Sequence, residues 1–474
     1  MEDSIKKKRR SPFARRTDID MTKGSIAGNI LRFAFPLLLG NLFQQLYNVV
    51  DTWVIGQTGE GGAYSAVGSV GPIVNILIGF FSGLSAGAGV VISQYFGAKK
   101  HDKVKESVHT ALIMTAGLGI LFTFIGVTLT PWICKLMLGE DSITYPFAKE
   151  YLVIYFSGIL GMMLYNVGAG ILRAVGDSDR PFYFLVASAL CNTALDLLFV
   201  FKLGWGVRGV AFATVIAQAL SAVLAMATLF TTDSTVRVRL RDLKVNFSIL
   251  GKIVWVGLPA ALQMALTAFS NVFVQSYISG VNGTKIEQMS ALGGWTTYSK
   301  VDAFLFLPMQ SLALAVTTFV GQNVGIRDFK RARKGTYITY AMANVITALL
   351  ILIIELFAPA FARFFNADPL IVENSTLLLH YITPFYIFCC VNQIFTASMR
   401  GMGKSVPPMI IMLACFVGMR QAYLFVMPNY ISNDLIPIAL GYPFGWGCCC
   451  LSTLVYYFTR GNKNIRSLVE QKAD

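Results

Sequence analysis

Histidine is almost missing from this chain, at 3 residues in 474, and only 8 cysteines accompany it. Those cysteines follow neither metal-ligand nor disulfide spacing. Cys191, Cys389, Cys390, Cys415 and the run Cys448–Cys450 fall in apolar stretches, where small packing roles are expected, and Cys134 alone is expected to approach the outer face. No set of nucleophile, histidine and acid, no phosphate-cradling loop and no metal motif is present, and the Asn-Gly-Thr triplet at Asn282 is at most a glycosylation match. An enzyme is therefore not expected, and no cofactor is required. Charge is scarce as well: charged residues make up 14% of the chain against 55% hydrophobic ones, with a mean hydropathy of +0.60. That balance excludes an ordinary soluble core. The alternation that a membrane β-barrel needs is missing from Ala111–Leu129 and Ile346–Phe357. A cleavable secretory signal is not expected either, because the N-terminus is hydrophilic and basic and the first apolar run is long, with no small-residue cleavage site.

What the chain has in quantity is long apolar runs. A helix needs about 20 such residues to cross the hydrocarbon, and about twelve runs of that length can be marked. They cover 26–55, 66–95, 107–137, 146–172, 181–202, 206–230, 248–279, 288–320, 335–362, 374–399, 406–428 and 435–459. An all-α integral membrane protein with twelve transmembrane helices follows. The formal net charge of +14 would suggest nucleic acid in a soluble protein, but its placement does not. Cations cluster at Lys6–Arg10 with Arg15 and Arg16, at Lys99–Lys105, Arg237–Lys244, Arg327–Lys334 and Arg460–Arg466, while Gln57–Ala63, Gly139–Thr144 and Asn429–Asp434 carry almost none. The positive-inside rule then puts both termini in the cytoplasm of a multi-pass protein in the cell (inner or plasma) membrane. The lipid bilayer is the expected partner, and nucleic acid is not.

The chain is an internal duplication. Pro36 and Asn48 recur 223 residues later as Pro259 and Asn271; Gln94 and Gly97 recur after 228 as Gln322 and Gly325; Arg173, Gly176 and Pro181 recur after 227 as Arg400, Gly403 and Pro408. Six spans per half, an even number, give both halves one orientation and relate them by a pseudo-two-fold axis along the membrane normal. The expected division is a basic cytoplasmic leader at 1–25, an N-lobe at 26–230, a cytoplasmic linker at 231–247, a C-lobe at 248–459 and a cytoplasmic tail at 460–474. Two-lobed proteins of this kind place a substrate cavity near the midplane and work by rocking the lobes.

Two carboxylates stand inside apolar spans, Asp51 in the first and Asp196 in the fifth. Each costs at least about 2.5 kcal/mol at membrane depth, which makes it a functional candidate by default. At 1.5 Å per residue, Asp51 lies about 7 Å below the outer end of its span, Asp196 about 9 Å, and Thr214 in the sixth span about 12 Å. Asn192 shares the face of Asp196 and Gln218 that of Thr214, each four residues away. Burial and mutual repulsion disfavour two bare carboxylates, so an oxygen-rich cluster of this kind suits a proton or Na⁺.

Pro36 with Asp51, the stretch Cys191–Phe199 containing Asn192 and Asp196, the following Leu203–Thr214, and the Gln94/Gly97 and Gln322/Gly325 loops together resemble the MATE family, the multidrug and toxic compound extrusion transporters. The likeness covers nearly the whole chain. It implies a two-lobe, twelve-helix antiporter that exports drugs or metabolites in exchange for Na⁺ or H⁺. In one branch of that family the coupling cation sits in the N-lobe, on positions that fall here on Asp51, Asn192, Asp196 and Thr214. In another branch acids in the seventh and tenth spans contribute; here Leu258–Ser279 has no carboxylate and the tenth span offers only Glu373 near its end, so that site is not expected. The family usually has proline after the fifth-span acid, where this chain has Leu197, a change expected to affect helix geometry more than chemistry.

Pro36 removes a backbone hydrogen bond and invites a kink; the resemblance implies a hinge in the first span that transmits cation binding. Candidate cavity residues are Gln44, Tyr47, Gln218, Tyr298 and Asp302, and Phe43, Tyr165, Trp295 and Phe304 would also suit flat organic cations. The methionines Met162, Met163, Met264 and Met309 would suit a promiscuous surface. Lys300 and Asp302, two residues apart on a helix, are expected to point at different partners. Glu355, His380 and Arg420 are further polar residues in the C-lobe spans, His380 expected mainly as a packing residue. The expected function is cation-coupled efflux of small organic compounds by alternating access, by a monomer. The alternative is a lipid-linked saccharide flippase of the same wider superfamily, which should show a basic cavity and extra helices that the sequence lacks.

Overall fold

The computed structural model describes residues 19–56 and 61–461, the side chains of 52, 61–65 and 461 excepted. The basic run Lys6–Arg16, most of the loop Gln57–Ala63 and the tail beyond 461 lie outside the described residues. Within them the chain is helical, with no strand. In order the helices are α1 (Ile26–Gly56), α2 (Gly61–Gly97), α3 (His101–Leu138), α4 (Tyr145–Ser157), α5 (Ile159–Ala174), α6 (Asp179–Asp196), α7 (Gly206–Thr231), α8 (Phe247–Ser279), α9 (Lys285–Gly325), α10 (Phe329–Phe365), α11 (Pro369–Ile382), α12 (Tyr386–Gly401), α13 (Val406–Leu413), α14 (Arg420–Val426), α15 (Leu435–Ala439) and α16 (Gly441–Tyr456). Eleven stretches are long and apolar enough to cross a membrane, and the pair α4–α5, bent by 46° at Gly158, completes twelve.

The breaks have local causes. Proline lacks an N–H and pushes away the preceding turn, and two residues before Pro359 the backbone of α10 leaves helical geometry at Phe357 (φ −120, ψ 16). By contrast α1 runs through Pro36 and α8 through Pro259 as continuous helices. Span five widens into a π-helix over Leu197–Lys202, directly after Asp196, and span eleven does so over Ala414–Met419, directly before Arg420.

The two halves meet where side chains are smallest. On α2, Gly79, Gly83 and Gly87 recur every four residues and face Met264, Ala261 and Gly257 of α8; a Cβ on Gly87 would lie 2.3 Å from the Gly257 Cα. Without a hydrophobic drive between helices in lipid, such close backbone approach supplies the packing. At the end of the bundle bearing the basic loops, the repeat landmarks form a reciprocal clasp. Gln94 donates through Nε2 to the Gly401 carbonyl at 3.0 Å, and Gln322 donates to the Ala174 carbonyl at 3.0 Å, so each half holds the other by the same bond. A Cβ on Gly97 would fall 2.0 Å from the Gln322 carbonyl oxygen, and one on Gly325 2.1 Å from that of Gln94. The backbone repeats too: Lys99 and Arg327 take φ of 57 and 59, Gly176 and Gly403 φ of 92 and 81.

A strap ahead of α1 reinforces this clasp. Ile19 donates its N–H to Gly176 in the first half, the buried Met21 donates to Gln322 Oε1 in the second, and Arg331 reaches back to the carbonyls of Lys23 and Gly24. Gly97→Val should break the clasp by forcing overpacking worth about 1–3 kcal/mol. Spin labels at Lys103 and Lys330 should then report a longer, broader distance distribution than in the parent; an unchanged distribution would show that the clasp does not set this conformation.

Candidate functional site

Asp196 closes α6 and is fully buried. The first-span acid, Asp51, lies two residues after Val49 on α1, a helix that packs along α6. Their carboxyl groups come within hydrogen-bonding reach of one another. Neither oxygen of Asp196 receives a hydrogen bond from a donor, nor does Oδ1 of Asp51. No lysine or arginine among the described residues forms an ion pair with either, the ion pair in this region being Arg208–Glu150 nearer the bundle end. Two carboxylates so placed repel unless a proton or a cation lies between them.

The surroundings are oxygen-rich and aromatic. Tyr47, one turn before Asp51, stands beside Gln44. Tyr151 and Tyr155 of α4 stack on each other at 6.1 Å, Tyr151 close enough to feel both carboxylates and Tyr155 beside Gln218. The two tyrosines were not among the residues the sequence pointed to; their spacing of four on one face of an otherwise apolar span was the available signal. Asn192, 1% exposed, sits one turn from Asp196 with neither its amide nitrogen nor its oxygen bonded. Thr214 is buried but donates its hydroxyl to Val210 of its own helix at 3.0 Å. The structure thus brings Asp51, Asp196, Gln44, Tyr47 and Gln218 into one neighbourhood, leaves Asn192 poised with free bonding capacity, and ties Thr214 to its own backbone. All candidate donors are oxygens or an amide, a set suited to a hard cation or a proton. No group of three or more His, Cys, Asp or Glu that could hold a metal occurs among the described residues.

The second half is built differently. Asp302 accepts from the Tyr298 hydroxyl at 3.5 Å, and that hydroxyl also meets Tyr386 at 3.2 Å. Tyr298, expected to line a cavity, is instead 2% exposed and packed into the C-lobe core, because its ring fits against Trp295 and its hydroxyl has two partners. Lys300 projects over the Phe365 ring at 5.7 Å and makes no ion pair with Asp302, as their two-residue spacing implied. His380 pairs with Glu355 at 2.5 Å on a partly exposed surface rather than packing in a core. A cavity of about 490 Å³ opens between α8, α9, α12 and the last spans, capped from the first half by Pro72 and Asn75, with Asp302 and Arg420 both on its wall. Thr267, Asn271 and Gln275, spaced by four along α8, give it a polar stripe.

A duplicated bundle of twelve apolar spans, halves clasped by repeat-related bonds and polar residues held at depth, defines a multi-pass membrane transporter rather than an enzyme. The MatE family model matches residues 36–198 and 259–424, one copy in each half, and the chain belongs to that family of multidrug efflux transporters. It is similar to the probable multidrug resistance protein YoeA of Bacillus subtilis, at 28% identity over 95% of this chain and 97% of that one. It is also similar to the probable multidrug resistance protein NorM of Thermotoga maritima, at 25% identity over 88% and 89%. Among solved structures, a MOP superfamily transporter from Pyrococcus furiosus superposes with a TM-score of 0.88 at 23% identity, over 95% of this chain and 98% of that one. An outward-facing multidrug resistance MATE family transporter does so with a TM-score of 0.87 at 24% identity, over 95% and 98%. At that identity these two show the shared fold.

Unpartnered buried groups destabilise, so the site should be traceable by stability. Asn192→Leu and Asp196→Asn should each raise the unfolding temperature in detergent, the gain being on the order of 1 kcal/mol. Thermal denaturation of the purified variants checks this, and a fall in both would mean that these groups have partners in the native state.

Proposed function

We propose that this transporter exports small organic compounds from the cytoplasm in exchange for Na⁺ or H⁺, with Asp51 and Asp196 as the coupling pair. The observation that carries this reading is the pair itself: two acids of different spans, within reach of each other, with no basic partner among the described residues. Entry of a proton or Na⁺ removes their repulsion and lets α1 and α6 close on one another; loss of the ion drives them apart. Asn192, unbonded and one turn from Asp196, supplies a further oxygen for a bound cation, and Thr214 retains lone pairs for the same purpose while donating to Val210. The helix α1 transmits the change because it touches both halves, packing on α6 and on α9, with Asn41 donating to Ser311 at 3.4 Å. Pro36 weakens its backbone between the strap and the acid, which suits a hinge.

With the basic loops and both termini in the cytoplasm, the clasp closes the cytoplasmic side in this conformation. Release of the clasp and closure at the other end would complete alternating access within a single chain. The relatives' names, as multidrug resistance proteins, support the substrate class.

Transport into proteoliposomes under an imposed Na⁺ gradient or an imposed pH gradient, one at a time, identifies the coupling ion. Asp51→Asn and Asp196→Asn should each lower gradient-driven ethidium transport by at least about tenfold while leaving expression intact, as expected for loss of an ionisable group at membrane depth. Full ethidium export by either variant would sink the coupling pair.

A further inference from the structure

Arg420 is the largest fully buried side chain among the described residues and is 1% exposed. Its stem passes over Gly445, where a Cβ would come within 3.3 Å of it. One terminal nitrogen, Nη2, donates to Ser270 Oγ at 2.7 Å and to Asn271 Oδ1 at 2.9 Å, and the guanidinium lies 4.8 Å from the Tyr442 ring centre. These contacts hold the group still but do not neutralise it. No carboxylate forms an ion pair with it among the described residues, and its Nε has no hydrogen-bond partner. A desolvated cation without a counter-charge is costly. Arg420 faces the 490 Å³ cavity, a volume suited to one drug-sized molecule. Asp302 lies on the same wall without pairing to it, and Trp295, Trp446 and Phe306 add aromatic faces to the lining.

We infer that this C-lobe cavity is a subsite for an aromatic zwitterion, whose carboxylate is held by Arg420 and whose ammonium is held by Asp302. A guanidinium presents planar paired donors that match a carboxylate, and the hydrogen bonds of Arg420 to Ser270 and Asn271 both run from Nη2 and so occupy one terminal nitrogen only. A molecule bearing one charge satisfies one pole and leaves the other desolvated; a molecule bearing both satisfies both. This subsite rests on the export reading above only for its role in transport, so it is tested by binding alone, with no ion gradient.

The test uses naphthylalanine, its methyl ester, which keeps the ammonium only, and its N-acetyl form, which keeps the carboxylate only. Binding of each to the detergent-purified full chain is followed by ligand fluorescence anisotropy. The parent should bind the zwitterion at least about tenfold tighter than either derivative, the discrimination expected when a buried charge loses its partner. Arg420→Gln should abolish the preference over the ester without weakening ester binding, Arg420→Lys should restore part of it, and Asp302→Asn should abolish the preference over the N-acetyl form. Equal binding of all three compounds by the parent would overturn the proposal, whatever the variants do. Equal weakening of all three by Arg420→Gln would also overturn it, because that pattern marks a role confined to packing.

Discussion

The architecture depends on backbone meeting backbone between the two halves. In lipid, helices gain little by hiding apolar surface from one another, so they hold together through close packing and through hydrogen bonds across the contact. The α2–α8 seam supplies the first, through Gly79, Gly83 and Gly87 against Gly257 and Ala261. The reciprocal clasp of Gln94 to Gly401 and Gln322 to Ala174 supplies the second. Each clasp bond is short and symmetric with the other, and each needs the glycine beside it to let a carbonyl through. A contact of that kind is either made or broken, with little room between.

On either side of the seam the repeat has diverged in charge. The first half gathers two carboxylates that form no ion pair with a lysine or arginine among the described residues; the second buries a guanidinium beside a cavity whose wall also carries an acid. Each polar centre adjoins a π-helical turn, an irregularity that helices tend to keep where function needs a displaced side chain or carbonyl. The Phe416 carbonyl in span eleven shows the consequence, since it accepts from the Ser270 hydroxyl of α8, and that same hydroxyl accepts from Arg420. The irregular backbone and the buried charge are thus joined by one serine.

Much of this was legible from residue order. The apolar runs marked twelve spans, the Gln–Gly and Arg–Gly landmarks marked the duplication, and Asp51 and Asp196 lie at similar depths below the ends of their spans. Lys300 and Asp302 diverge as their spacing required. Other features were not legible, because they depend on what a neighbouring helix presents. Tyr151 and Tyr155 look like ordinary span aromatics until α4 sets Tyr151 near the acids and Tyr155 beside Gln218. The pairing of His380 with Glu355 joins residues 25 apart on different helices. Tyr298 looked like a cavity residue, yet its partners Trp295 and Tyr386 draw it into the core.

The sequence by itself determined that this is a duplicated twelve-span transporter of the MatE family with acids at membrane depth, because span length, repeat spacing and charge placement are local properties that survive any packing. Only the tertiary structure decided which polar groups end up without partners. That outcome depends on which faces α1 and α6, or α8 and α14, turn toward each other. Thr214, close to the acids by depth and face, donates its hydroxyl to Val210 of its own helix, while Arg420, one polar residue among several in the C-lobe spans, came to share a cavity wall with Asp302.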